Sequence, residues 1–491
     1  MFFNTIVDKY RNSSIQVKAS FWFLICTIIQ RSISIITTPI FTRLLSTNEY
    51  GKYSVFISWM GILTCFVTMY IYSGVYPQAI VKFDHSRAKY SSAMQGLTFT
   101  LTLFWLLIYG LFFQFWNKLF ELNTAQMLAM FIVMWAHAVF GFWSAEQRVD
   151  YKYKLLVIVT LVEAILQPCL CILLIYLSED KVTGLVLGMA IATFFCYTAL
   201  FVNQMVRGKV YFSKEIWSYT LRLAIPLIPH YISTVLLNSS DRIMIQKFVG
   251  VGEAGIYNLA YTISICGVLI NQALLQTLQP WIYQKIKAEQ FQEIKKVAYP
   301  ALCGVALVNL CMILFAPELI KIFAPASYSA AKWVMAPIAM SVYFMFMYNL
   351  FSCFEFYYEK TSYVSIATVS GALLNLLLNF ILLPRFGYYA AGYTTLFCYF
   401  VFAVAHYGFM RKICKFYLPN IKVYDINVIS LISVIFVALA FSIMLLYSFT
   451  LLRYIVFLIL IVFILIYRDR IKNIYYSFKN NNLLTDDGSV R

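Results

Sequence analysis

The chain has 491 residues, of which 62% are hydrophobic and only 12% charged, and its net charge is +17. Soluble domains carry about 25% charged residues, so a deficit spread over the whole length excludes a large soluble protein and indicates membrane. The basic residues are scattered through short connections with no basic face or nucleic-acid motif, which excludes nucleic acid as a partner and makes the charge a topology signal.

A spanning helix needs about 20 mostly apolar residues. Fourteen stretches qualify: 17–41, 54–79, 92–114, 125–145, 155–177, 182–203, 219–240, 255–279, 298–317, 331–353, 362–384, 389–410, 426–447 and 449–467. The predicted fold is therefore an all-α polytopic membrane protein with 14 transmembrane helices. The first sixteen residues are polar and basic and no small-residue cleavage site follows, so the first span is expected to be retained. The eleven cysteines include one close pair, Cys169 and Cys171, inside an apolar run, and no CxxC. No metal, disulfide or other cofactor is expected. No connection could house a soluble catalytic domain, so the chain is not expected to be an enzyme.

Lysine and arginine set the orientation. The N-terminus, the even-numbered loops and the C-terminus hold 27 of the 38, the odd-numbered loops hold 10, and Arg31 lies inside a span. Both termini are expected in the cytoplasm.

The first span carries Ser20, Thr27, Arg31, Ser34 and Thr38 at helical spacing, flanked by Gln30 and Thr37. An arginine near the bilayer centre costs roughly 2.5–3.5 kcal/mol on insertion scales, so Arg31 must reach water, a partner or an anion. In the fifth span, Glu163 is a candidate for proton coupling or for a structural pair. His137, His230 and His406 lie mid-span, where a hydrogen-bonded histidine is the default. The seventh span carries Pro226, His230, Thr234, Asn238 and Asp241 on one face. Asp241 and its neighbour Arg242 could instead anchor the outer end of that span. The eighth adds Asn271, Gln272, Gln276 and Gln279. Asn375 and Asn379, four apart, suit a tie between helices.

Residues 43–53, RLLSTNEYGKY, align with 247–257, KFVGVGEAGIY. Glu49, Gly51 and Tyr53 match Glu253, Gly255 and Tyr257, each pair separated by 204 positions. At the same offset Gln30 meets Thr234, Ser34 meets Asn238 and Thr37 meets Asp241. The offset predicts two six-helix lobes as a parallel internal repeat plus two extra C-terminal helices. The expected divisions are 1–210 for spans 1–6, 211–415 for spans 7–12, 416–467 for spans 13 and 14, and 468–491 for a cytoplasmic tail. Matched polar stripes in the two halves would face a central cavity, as in transporters that alternate access by rocking their repeats.

Several segments carry a family resemblance. AIPLIPHYISTVLLNSSDRIMIQKFVGVGEAGIYNLAY (224–261) resembles the start of the second half in O-antigen and polysaccharide flippases, the Wzx-type branch of the MATE-like (MOP) superfamily. TRLLSTNEYGKYSVF (42–56), SAEQRVDYKYKLL (144–156) and LLNLLLNFILLPRFGYYAAGYTTL (373–396) also resemble that family. The resemblance implies two six-helix lobes around a V-shaped cavity in the inner membrane. It also implies transfer of an undecaprenyl-diphosphate-linked oligosaccharide from the cytoplasmic to the outer leaflet, for O-antigen or another surface polysaccharide. The expected substrate-binding residues are Arg31, Gln30, Ser34, His230, Thr234, Asn238, Asp241, Gln272 and Gln276. Membrane lipids and other polysaccharide-assembly membrane proteins are the expected partners, and a coupling ion would be a proton or sodium. A multidrug exporter of the same superfamily is the rival reading, disfavoured by Arg31 and the two extra spans. A polysaccharide-assembly membrane enzyme is the other, disfavoured by the short loops.

Overall fold

A computed structural model describes residues 15–418 and 421–466 of the chain, apart from a few individual side chains. The described residues form helices with no strand. In chain order they are α1 Ile15–Leu44, α2 Thr47–Val67, α3 Tyr76–Lys82, α4 Arg87–Leu111, α5 Phe113–Phe120, α6 Thr124–Val149, α7 Tyr153–Leu177, α8 Lys181–Gly208, α9 Lys214–Ala224 and α10 Ile228–Phe248. There follow α11 Val251–Ser264, α12 Cys266–Lys287, α13 Phe291–Leu314, α14 Ala316–Phe323, α15 Ala331–Tyr357, α16 Thr361–Phe386, α17 Tyr389–Tyr417, α18 Ile426–Leu445 and α19 Thr450–Ile466.

Twelve helical stretches among the described residues are long and apolar enough to cross a membrane, with α9–α10 and α11–α12 each counted as one. Each matches one of the stretches expected from sequence. The other two expected spans differ. The last, α19, is apolar but shows 17 described residues. The second was expected as one helix over 54–79. Instead α2 starts earlier, at the polar Thr47, ends at Val67, and α3 begins only at Tyr76. Met69 and Tyr70 adopt left-handed φ values of 50° and 47°, which ends the helix, and Pro77 opens the next one.

Several helices start on side-chain caps that satisfy otherwise unpaired backbone N–H groups. Ser46 and Glu49 form a capping box on α2, and Asn123 and Gln126 form one on α6. Asp180 caps α8 and Asp425 caps α18.

The chain divides into two compact units, Met1–Asn258 and Leu259–Arg491. In the first unit α8 packs closely on α7 through small residues. A Cβ on Gly184 would lie 2.3 Å from the Leu174 carbonyl oxygen, and one on Gly188 would lie 2.6 Å from the Cys171 Cα. A buried polar network ties α4, α6 and α8. Gln95 Nε2 donates to Gln204 Oε1 at 2.6 Å, and Gln204 Nε2 donates to Glu146 Oε2 at 2.6 Å. Arg207 completes it with an ion pair to Glu146 at 2.9 Å. The seventh predicted span belongs to this unit because α9 and α10 pack on it. Trp217 Nε1 donates to the Ala93 carbonyl at 2.9 Å, and Gly61 of α2 leaves room for Val235 and Ser239 of α10.

In the second unit α15 is buried along most of its length. Its Glu355 meets His406 Nδ1 of α17 at 2.7 Å, both side chains fully enclosed. Asn379 accepts from Thr394 at 2.6 Å, which ties α16 to α17, and donates to Asn375 at 3.2 Å within α16. Arg453 of α19 is buried and forms a two-pronged pair with Glu318 of α14, at 2.6 and 2.7 Å, while also donating to the Leu314 carbonyl at 2.9 Å. Glu318 lies outside the spans. Burial alone would raise its carboxyl, but hydrogen bonds and charge from Arg453 outweigh that and hold it below its ordinary value.

Candidate functional site

Pro226 and Pro229 shape the seventh predicted span. They interrupt α-helical bonding at Ile225–Leu227, between α9 and α10. Beyond the break, the polar stripe turns back on its own helix. Thr234 donates to the His230 carbonyl at 3.0 Å, and Asn238 Nδ2 donates to the Thr234 carbonyl at 2.8 Å. This pattern satisfies polar side chains in a membrane helix by bonding them to its own backbone. His230, Thr234 and Asn238 are half-buried. The His230 Nδ1 atom is enclosed without a hydrogen-bond partner among the described residues.

The C-terminal end of the stripe is different. Asp241 is 1% exposed and accepts a 2.5 Å hydrogen bond from the Tyr257 hydroxyl of α11. Arg242 donates through Nε to Asn258 Oδ1 and through Nη1 to the Asn238 carbonyl, both at 2.7 Å. In this conformation Asp241 is enclosed against Tyr257, and Arg242 straps α10 to α11. These contacts tie the C-terminal end of α10 to α11.

Of the first-span candidates, the side chains of Arg31 and Ser34 lie outside the described residues, as does that of Ser20. Gln30 is half-buried on α1. Thr27 and Thr37 donate to the carbonyls of Phe23 and Ile33, each at 2.9 Å. Glu163 of α7 is buried and hydrogen-bonded to Tyr197 of α8. In the second unit Gln272 is half-buried on α12 and Gln276 is exposed. Their neighbour Asn271 is buried and ties α12 to α15 by donating to the Val342 carbonyl at 2.8 Å. Among the described residues no group of three or more His, Cys, Asp and Glu could hold a metal ion.

Sequence reasoning missed three polar arrangements. Arg453, near the start of an apolar run, counted only as an outer-loop charge, and the sequence does not show its pairing with Glu318. Glu146 stood inside the segment 144–156 without its partners Gln204 and Arg207, which only tertiary packing brings to it. Tyr257 enters the repeat only as the match of Tyr53, and its hydroxyl bond to Asp241 is visible only in the structure.

Residues 17–286 match the family model described as polysaccharide biosynthesis protein. The chain belongs to the polysaccharide biosynthesis protein family. The match exceeds half the chain and takes in the predicted spans with both polar stripes. An uncharacterized membrane protein of Methanocaldococcus jannaschii is 25% identical over 265 residues, covering 51% of this chain and 52% of that protein. The match thus spans about half the length of that relative. Among solved structures, the lipid II flippase MurJ in an inward closed conformation has a TM-score of 0.64 at 14% identity, covering 90% of this chain and 100% of that one. An inward-facing multidrug resistance MATE family transporter of the MOP superfamily has a TM-score of 0.63 at 11% identity, covering 80% and 96%. A MOP superfamily transporter from Pyrococcus furiosus has a TM-score of 0.55 at 14% identity, covering 82% and 96%. At these identities the likeness concerns the fold, so this polysaccharide biosynthesis protein has the MATE-like fold that its sequence resemblance implied.

Proposed function

We propose that this protein is a flippase that moves an undecaprenyl-diphosphate-linked oligosaccharide from the cytoplasmic to the outer leaflet of the inner membrane by alternating access. The observation that carries the reading is the family match over 17–286, which includes the polar stripes of the first and seventh predicted spans. A fold shared with MurJ and with multidrug transporters does not choose between lipid-linked glycan and drug; the match to the polysaccharide biosynthesis family supports the glycan.

The physical need fits these residues. Each unpaired sugar hydroxyl costs several kcal/mol in an apolar medium, and the diphosphate costs far more. Gln30, Ser34, His230, Thr234, Asn238, Gln272 and Gln276 supply donors and acceptors for hydroxyls along the path. Arg31 suits the diphosphate because its planar fork makes paired charge-assisted hydrogen bonds. Asp241 is left out, because its carboxylate repels phosphate and is already engaged by Tyr257. Outward movement of an anion is helped by about 2.3 kcal/mol per charge per 100 mV of interior-negative potential. Glu163 is the candidate for proton coupling.

The reading includes two parallel repeats, 1–210 and 211–415. Helix order supports it: the short helix α5 follows α4 as α14 follows α13, and three long helices come after each. The test is deletion of the gene, followed by identification of the lipid-linked glycan on each face of the cytoplasmic membrane. Accumulation of one glycan on the inner face, reversed by restoring the gene, is expected. An unchanged glycan distribution would overturn the proposal.

A further inference from the structure

The break between α2 and α3 meets the break between α9 and α10. Ile71, Val75 and Tyr76 of the first share a buried cluster with Ala224 at the second. Three half-buried tyrosines gather here. The Tyr70 ring lies 5.2 Å from the Tyr231 ring, tilted by 34°, and 5.8 Å from the Tyr72 ring, tilted by 41°. Both glycines in contact with the cluster are seats for these rings. A Cβ on Gly74 would lie 2.2 Å from the Tyr231 hydroxyl oxygen, and one on Gly141 would lie 2.4 Å from the Tyr72 ring. Tyr72 in turn rests edge-on against the enclosed Phe142, at 6.3 Å. His230, whose Nδ1 is enclosed and unpaired among the described residues, stands 5.8 Å from Tyr231 by ring centres.

Simple hydrophobic packing does not require this geometry. Tyr70 follows Met69 in the left-handed region, which side chains other than glycine adopt at a cost. Such backbone outliers persist where the surroundings over-determine them, and they gather at binding sites. The strained turn directs Tyr70 toward Tyr231, on a helix that also carries His230, Thr234 and Asn238. Tyrosine joins an apolar ring face to a polar rim. A pyranose ring has the complementary surface, with C–H groups on its faces and hydroxyls around its edge.

We infer that Tyr70 and Tyr231, with Tyr72 packed against Tyr70, form a stacking platform for a sugar ring of the transported glycan. The inference rests on the flippase reading and adds to it a subsite that recognises the sugar rather than the diphosphate. The topology expected from charge puts both breaks in the cytoplasmic half of their spans, the side on which the loaded lipid is made available.

The alternative is an aromatic girdle at the membrane interface, which packs the helices and binds nothing. Binding to the full-length chain in nanodiscs separates the two, with undecaprenyl diphosphate and undecaprenyl-diphosphate-N-acetylglucosamine as probes. The wild type is expected to prefer the sugar-bearing lipid about tenfold. Tyr70→Ala and Tyr231→Ala should each bring that preference close to one while leaving affinity for bare undecaprenyl diphosphate unchanged. Tyr70→Phe and Tyr231→Phe should retain most of it. Tyr231→Leu preserves apolar volume and removes the ring, so it guards against an alanine variant that fails to fold. Equal binding of both lipids by the wild type, or a full preference in folded Tyr231→Leu, would overturn the platform. A wild type that binds neither lipid would overturn the flippase reading itself.

Discussion

Gly51 of α2 and Gly255 of α11, which the internal repeat pairs in the sequence, pack against each other in the structure. A Cβ on Gly51 would lie 1.9 Å from the Val251 carbonyl oxygen and 3.2 Å from the Gly255 nitrogen. A Cβ on Gly255 would lie 2.4 Å from the Thr47 carbonyl oxygen. The obstructing atoms are backbone, so they cannot move aside as a side chain would. These glycines let the starts of two helices approach until their main chains touch, as small residues do between membrane helices. Gly51→Ala and Gly255→Ala should each force the helices apart and lower stability by about 1–3 kcal/mol, the usual range for overpacking. Gly61→Ala is the control. Its nearest neighbour would be the Val235 Cγ1 at 3.3 Å, and a side chain can yield by a few tenths of an ångström. Thermal unfolding of the purified variants should place Gly51→Ala and Gly255→Ala well below the wild type and Gly61→Ala near it. Equal midpoints for all three would show that the contact carries no weight.

The orientation read from lysine and arginine is open to chemical labelling. In a background cleared of reactive native cysteines, Asn48→Cys and Asp180→Cys should react with an impermeant thiol reagent added outside intact cells. His85→Cys and Gln290→Cys should react only after the membrane is opened. The reverse pattern would invert the protein, and a mixed pattern would change the number of crossings.

The apolar runs were legible because membrane insertion is a property of local composition, and twelve of the expected spans appear at or near the expected residues. The interruption at 68–75 was not, because Met69 and Tyr70 are not turn residues, and the ring contacts of this segment with Tyr231 and Phe142 are tertiary. The repeat was visible as matched letters, Gly51 and Gly255 among them, but not as a contact. Mutual contact is a tertiary fact that spacing within one segment does not encode. For the same reason, Asp241 looked like part of an open polar stripe. Helical periodicity puts it on the face of Asn238 but cannot reveal that Tyr257 closes over it.

Arg31 is the sequence feature with the sharpest consequence for transport. Its charge is a net cost to insertion, so Arg31→Ala should leave the protein in the membrane at near-normal abundance. If the guanidinium holds the diphosphate, glycan export should fall at least tenfold. Arg31→Lys should restore part of the activity, since charge remains while the two-pronged geometry is lost. Immunoblotting of membranes alongside surface-glycan staining distinguishes this from a structural clamp. A clamp on a buried acid predicts that abundance and export fall together. Normal abundance with full export in Arg31→Ala would remove Arg31 from the mechanism.

Arg453 and Glu318 should make the attachment of α19 sensitive to acid. Arg453 is 2% exposed and has its guanidinium committed to Glu318 and to the Leu314 carbonyl. Because the Glu318 carboxyl is held low when folded, it contributes stability above its unfolded pKa of about 4.3. That contribution is lost as pH falls through the lower, folded value. The thermal midpoint should therefore be insensitive to this pair from pH 7 to about 5 and decline below about 4. Glu318→Gln should remove this part of the acid dependence. Glu318→Ala strands a buried guanidinium and should cost about 3 kcal/mol at neutral pH. This is the low end for breaking a buried pair, because a quarter of the Glu318 side chain stays exposed. Replacing both residues, Arg453→Leu with Glu318→Leu, leaves no buried charge unpaired and should recover much of that loss. A double variant as unstable as Glu318→Ala would mean that the pair, rather than the avoidance of a stranded charge, holds α19 in place.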